Sequence, residues 1–186
     1  MARRAALSRR DELDPQFRAA ASARLAQCAA DLPIPPGALV AGFMPIRSEI
    51  DPLPLMQALR RRGHALCLPV VLADRETMIF RAWDGDSPLE KSSFGLSVPG
   101  SAMAAVEPRA LLVPLAAFDR RGYRIGYGKG HYDRALERLE RLEAAGPVLK
   151  IGLAFSAQEI DDVLAEPHDR RLDFLLTETG LSAIQG

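Results

Sequence analysis

Short runs of consecutive apolar residues alternate along this chain with longer stretches whose apolar positions recur every three or four residues. Residues 39–44 (Leu-Val-Ala-Gly-Phe-Met) are a continuous apolar run of strand length, the pattern of a strand covered on both faces; 65–71 and 111–114 read as further core strands, and 148–155 and 174–177 as the final ones. Asp14-Pro15 couples a capping carboxylate to a first-turn proline, which predicts a helix through 17–30, closed by the break at 33–37. Asp51-Pro52 opens a second helix carrying Leu55, Met56 and Leu59 and ended by Gly63. A third, over 131–145, aligns Tyr132, Leu136, Leu139 and Leu142 on one stripe, with Glu137 and Arg141 at pairing distance. Residues 78–83 alternate loosely, as an antiparallel edge hairpin would. Strands alternating with helices predict one three-layer α/β/α sandwich around a mostly parallel sheet, Rossmann-like, over 1–186. In such a sheet ligands gather beyond the carboxyl ends of the strands.

Composition narrows the functional classes. Lys plus Arg and Asp plus Glu both total 24 in 186 residues, so no global positive field is present for nucleic acid. Cys28 and Cys67 belong to no metal or disulfide motif, as expected in a reducing cytosol. No run reaches the ~18 apolar residues of a membrane span, and Asp11, Glu12 and Asp14 argue against a transit peptide. A cytoplasmic monomer acting on small molecules is the expectation. His64, His131 and His168 are dispersed, which disfavours zinc chemistry, and Pro99 spoils a nucleophile elbow at 95–99.

The densest chemistry lies between Gly122 and Arg134, where Gly126, Gly128 and Gly130 alternate with Tyr127 and Lys129. Alternating glycines let successive main-chain N–H groups approach an anion, and the helix beginning at His131 aims its partial positive charge at the same place. Lys129 adds a point charge and Arg124 a fork-shaped donor set, both suited to phosphate. Neither the Gly-x-x-x-x-Gly-Lys-Ser/Thr loop nor Gly-x-Gly-x-x-Gly is present, so a glycine-rich surface turn stands as the plain alternative. Asp133, directly after the ladder, can reach a magnesium ion shared with bound phosphates, or simply stabilise the helix N-terminus.

The run from Leu112 through Phe118-Asp119 and Gly122 to Arg124–Arg134 resembles the signature of the 5-formyltetrahydrofolate cyclo-ligase family. Weaker likenesses are the Arg-rich start, the Glu49 segment, Phe94-Gly95-Leu96 with Pro99, and Asp173. The resemblance implies ATP- and Mg2+-dependent closure of 5-formyltetrahydrofolate to 5,10-methenyltetrahydrofolate, with release of ADP and phosphate. It implies that Arg3, Arg4, Arg124, Ile125, Gly126, Tyr127, Gly128, Lys129, Gly130, His131 and Tyr132 contact the nucleotide, with Lys129 and Arg124 catalytic. Asp133 and Asp173 would hold the metal. Met44, Glu49, Tyr127 and Tyr132 would receive the folate, the carboxylate taking N–H donors of a pterin ring and the tyrosines covering flat ring faces. The family's further basic residue ahead of Arg3 has no counterpart here, and His131 stands where tyrosine is usual, which implies greater pH sensitivity. A sugar-phosphate isomerase or coenzyme A transferase of similar architecture would need a phosphate cradle too, but no ATP. A non-catalytic nucleotide- or folate-binding module would retain ligand without turnover.

Overall fold

The computed structural model describes residues 2–92, 95–142, 146–166 and 169–185, so Phe94, His168 and the expected helix end at 143–145 lie outside it. Twelve strands and four α-helices are present among these residues. Five strands run parallel: β1 (Val40–Ala41), β2 (Leu66–Val71), β7 (Ala110–Pro114), β10 (Leu149–Leu153) and β11 (Phe174–Thr177). Side by side they read β2-β1-β7-β10-β11, the doubly wound order in which the chain reverses its winding between the first and third parallel strands. Antiparallel strands extend both ends of the sheet: β3 (Met78–Trp83) and β6 (Ala105–Val106) beyond β2, and β12 (Gly180–Ala183) beyond β11. Residues 78–83 therefore pair on both sides and are not the edge. Two hairpins, β4–β5 (Glu90–Lys91, Ser97–Val98) and β8–β9 (Ala117–Phe118, Arg124–Ile125), stand outside the sheet.

Strand pleating sends successive side chains to opposite faces. Val40, Leu66, Leu68, Leu112 and Leu153 point to one face, packed against Leu25 of α2 (Pro15–Gln27) and Leu55, Met56 and Leu59 of α3 (Leu53–Arg61). Ala41, Cys67, Leu111, Val113 and Leu175 point to the other, covered by Ala135, Leu136 and Leu139 of α4 (His131–Glu140). The three layers expected from the apolar runs are thus realised, each fully buried Leu contributing about 1.5–3 kcal/mol. Asp14 caps α2 as its sequence position implies, accepting from the N–H groups of Gln16 and Phe17 at 2.8 and 3.2 Å. Glu137 and Arg141 pair on α4. Leu142, by contrast, is exposed and leaves the buried stripe, because α4 stops at Glu140.

Residues 2–11 fold as α1 (Ala2–Asp11), which no apolar periodicity announced. Only Ala6 and Arg10 of α1 are buried, and Arg9 ties the helix to the main-chain oxygens of Ala157 and Glu159. The β8–β9 turn is organised by Asp119, whose side chain is fully buried. Its oxygens accept from the N–H groups of Arg121, Tyr123 and Val163 at 3.0–3.1 Å and from the Arg121 guanidinium at 2.7 Å. Burial pushes this carboxyl up, but the Val163 N–H, Arg121 and Tyr123 together hold it below the ordinary value.

Asp119→Asn exchanges acceptors for a donor facing other donors, and urea denaturation at pH 7 is expected to show a loss of about 3 kcal/mol. A depressed carboxyl stabilises fully above its unfolded value of about 3.9, and that contribution disappears as pH falls through the folded value. The gap between wild type and variant should therefore narrow below about pH 4. A loss under about 1 kcal/mol at pH 7, the size of an ordinary hydrogen bond, would contradict the role given to Asp119.

Candidate active site

Where β1 and β7 diverge, their outgoing connections leave a crevice at the carboxyl end of the sheet. Residues 39–44 keep strand pairing only at Val40–Ala41 because the chain turns out here, and Phe43 and Met44 line the opening instead. The crevice is a cavity of about 600 Å³ shared by the turn after β1, the glycine ladder, the start of α4, and Val163, Leu164, Glu166 and Asp169. Every sequence-predicted site residue lines it except Arg4 and Asp173.

The ladder runs from β9 into α4, with Gly130 as the residue before the helix. Gly128 and Gly130 have φ of +88° and +62°, conformations that side chains rarely tolerate. A Cβ on Gly128 would stand 3.1 Å from Arg3 Nη1, so the Arg3 guanidinium lies directly over the bare main chain. Arg3 and Lys129 thus bring two cations to the ladder, beside the unsatisfied N–H groups of a helix N-terminus. Arg4 is exposed on the outer side of α1, pointing away because only one face of that helix meets the ladder.

Arg124 is nearly buried and pairs with Asp133, Nη2 donating to Oδ1 at 2.6 Å, while Nη1 donates to the main-chain oxygen of Arg170. The two residues expected to serve phosphate and metal are therefore joined to each other. Asp173 is not brought to them. It directly precedes β11 at the amino end of the sheet, where Oδ2 accepts from Lys150 N at 2.7 Å and lies 3.5 Å from Lys150 Nζ. Glu166 and Asp169 line the cavity with Asp133, yet no three His, Cys, Asp or Glu side chains among the described residues close on a metal by themselves. That donor set fits magnesium arriving with phosphates, which needs one or two protein carboxylates.

At the opposite end Glu49 turns its carboxylate into the cavity. Oε2 accepts from Ile46 N at 2.9 Å, whereas Oε1 is buried with no hydrogen-bond partner among the described residues. The Tyr132 hydroxyl is buried and unpartnered in the same way. Burial pushes the Glu49 carboxyl above its ordinary value, against the opposing pull of the Tyr127 hydroxyl, the Ile46 N–H and the Arg10 charge. Burial likewise raises Tyr127 and Tyr132, with the Glu49 charge adding to both. Arg10, invisible in the sequence beside its exposed neighbour Arg9, is 1% exposed and donates from Nη1 to the Tyr127 hydroxyl at 2.7 Å.

The β2–β3 turn closes a further side. His131 Nε2 lies 2.9 Å from the main-chain oxygen of Arg75, so that nitrogen carries the proton, and Arg134 donates to the oxygen of Glu76. Arg75 itself, at a φ of +63° reached through the Asp74 turn, lines the cavity although no motif singled it out. Gln158 braces the floor, donating to the oxygens of Leu115 and Ala116.

Fold and site together define a doubly wound α/β protein with a cation-flanked glycine loop at its switch point. The family model for the 5-formyltetrahydrofolate cyclo-ligase family matches residues 1–178. A 5-formyltetrahydrofolate cyclo-ligase of Mycolicibacterium smegmatis is 31% identical over 157 residues, 80% of this chain and 78% of that one. Its counterpart in Escherichia coli K12 is 29% identical over 143 residues, 74% of this chain and 76% of that one. Among solved structures, the 5,10-methenyltetrahydrofolate synthetase of Aquifex aeolicus superposes with a TM-score of 0.82 at 28% identity, covering 100% of this chain and 92% of that one. That of Mycoplasma pneumoniae gives 0.73 at 26%, covering 95% and 96%. This chain belongs to the 5-formyltetrahydrofolate cyclo-ligase family, and it is a ligase. No helix among the described residues is long and apolar enough to cross a membrane.

A carboxyl raised above its unfolded value of about 4.3 binds more protons when folded, so its stabilising contribution is whole below that value and lost as pH rises through the folded one. Glu49→Gln removes that loss. Its melting temperature should match wild type near pH 4 and exceed it at pH 8; an equal or lower value at pH 8 would contradict a strained Glu49.

Proposed function

We propose that this protein uses ATP to close the ring of 5-formyltetrahydrofolate, giving 5,10-methenyltetrahydrofolate, ADP and phosphate. One observation carries the reading. A cation-flanked glycine ladder and a buried carboxylate with an unused oxygen face one cavity, so an anion-bearing ligand and an N–H-bearing ring meet there. The names of the relatives supply the identity of that ring.

In this arrangement the main-chain N–H groups of 126–130, the α4 N-terminus, Lys129 and Arg3 hold the phosphates, with Ile125 and His131 flanking them. Glu49 Oε1 accepts from the pterin ring, Met44 and Phe43 pack against it, and Tyr127 and Tyr132 offer ring surface. The formyl oxygen attacks the γ-phosphorus, the bond to the β-phosphate oxygen breaks, and ADP leaves. N10 then attacks the activated carbon, phosphate departs with the former formyl oxygen, and N10 loses its proton. An amide oxygen is a weak nucleophile, so the protein's contribution is alignment and neutralisation of the transferring charge. Asp133 would carry magnesium, which neutralises phosphate charge when bound, while Arg124 keeps that carboxylate in place and adds its own charge. Ligase membership sets aside the isomerase and transferase readings.

Purified protein with magnesium-ATP and 5-formyltetrahydrofolate is expected to develop the methenyl chromophore, and ADP in equal amount. A folded protein giving neither would overturn the reading. Lys129→Ala should lower turnover by about two to three orders of magnitude, as loss of a preorganised electrostatic contact does. A loss below tenfold with ATP affinity unchanged would remove Lys129 from the reacting centre.

A further inference from the structure

We infer that Arg10 is a positioning residue for the acceptor pocket, acting through the Tyr127 hydroxyl to set the Glu49 carboxylate against its ligand. This rests on the placement of the folate ring at Glu49. Arg10 is a buried cation: Nη1 donates to Tyr127 at 2.7 Å and Nε to Ser48 Oγ at 3.0 Å, while Nη2 lies 3.7 Å from the exposed Asp11. Ser48 is the neighbour of Glu49 in chain, and its hydroxyl donates onward to Asp11. One guanidinium therefore joins the turn that bears Glu49 to the Tyr127 side chain.

The hydroxyl of Tyr127 accepts from Arg10, so its own proton is directed elsewhere, and the carboxylate against which it lies is that of Glu49. The Ile46 N–H and the Tyr127 hydroxyl hold this carboxylate, and its buried Oε1 has no hydrogen-bond partner among the described residues, an acceptor left for a ligand N–H. The Arg10 charge also favours the ionised form against burial.

The same link reaches the nucleotide end. Arg3 and Arg10 are seven residues apart, two turns of α1, with buried Ala6 between them, and they meet Gly128 and Tyr127 respectively. A contact so near the ladder could be merely structural, so the test separates effects on the two substrates. Tyr127→Phe keeps the ring and main chain and removes only the hydroxyl.

The KM for 5-formyltetrahydrofolate and its directly measured Kd are expected to rise about tenfold in Tyr127→Phe, the loss of one charge-coupled hydrogen bond. The KM for ATP should change by less than twofold, while the melting temperature should fall by about 2–8 °C because Arg10 Nη1 loses its buried partner. Arg10→Met should raise the same folate KM, Arg10→Lys should recover part of it, and adding Tyr127→Phe to Arg10→Met should cost nothing more. Equal folate affinity in wild type and Tyr127→Phe, parallel rises in both KM values, or additive losses in the double variant would each overturn the assignment. A wild-type protein that fails to bind the folate overturns the placement of the ring itself, and the assignment with it.

Discussion

A glycine ladder can hold an anion only if something other than its own side chains fixes its course, and that constraint organises this structure. Stripping side chains from 126, 128 and 130 opens the main chain to phosphate but removes packing and adds conformational freedom. The residues between and beside the glycines restore the order. Tyr127 is pinned by Arg10, His131 by the main chain of Arg75, Arg134 by that of Glu76, and Arg124 by Asp133 and the oxygen of Arg170. Upstream, Asp119 closes the hairpin that delivers the chain to Gly126. Several separate segments thus hold one glycine-rich stretch in place.

The same crevice concentrates charge that stability alone would not place there. Buried Oε1 of Glu49 and the buried Tyr132 hydroxyl have no hydrogen-bond partner among the described residues. Each such atom costs about 1–3 kcal/mol unless a ligand completes it. The long apolar strands and the helices covering both faces supply the stability that tolerates this. Arg10 offsets part of the burden by setting a positive charge behind the carboxylate.

Most of the architecture was legible in the residues because apolar runs and capping signals are local. The runs at 65–71, 111–114, 148–155 and 174–177 became strands, and Asp14 caps its helix. The misreadings have physical sources. Residues 78–83 looked like an edge because Ala105–Val106, which covers them, is too short to have a period. α1 buries an alanine and an arginine, so no hydrophobic stripe could announce it. The ladder, Glu49 and Met44 were recognised by chemistry or resemblance and do share a cavity. Arg10, Arg75 and Gln158 were missed since their roles arise from partners more than 30 residues away in sequence. Asp173 shows the converse: the resemblance put it forward as a metal ligand, while the fold gave its carboxylate to Lys150.

The claim on which the rest depends is that main chain between Gly126 and Gly130 grips the nucleotide's phosphates. Amide NMR of the uniformly labelled protein, titrated with magnesium and a non-hydrolysable ATP analogue, tests it most directly. The account predicts that the amides of Gly126 to His131 show the largest shifts and saturate together with the Arg3 side-chain signals. Saturable shifts centred on another part of the surface, with the amides of 126–131 unmoved, would contradict it.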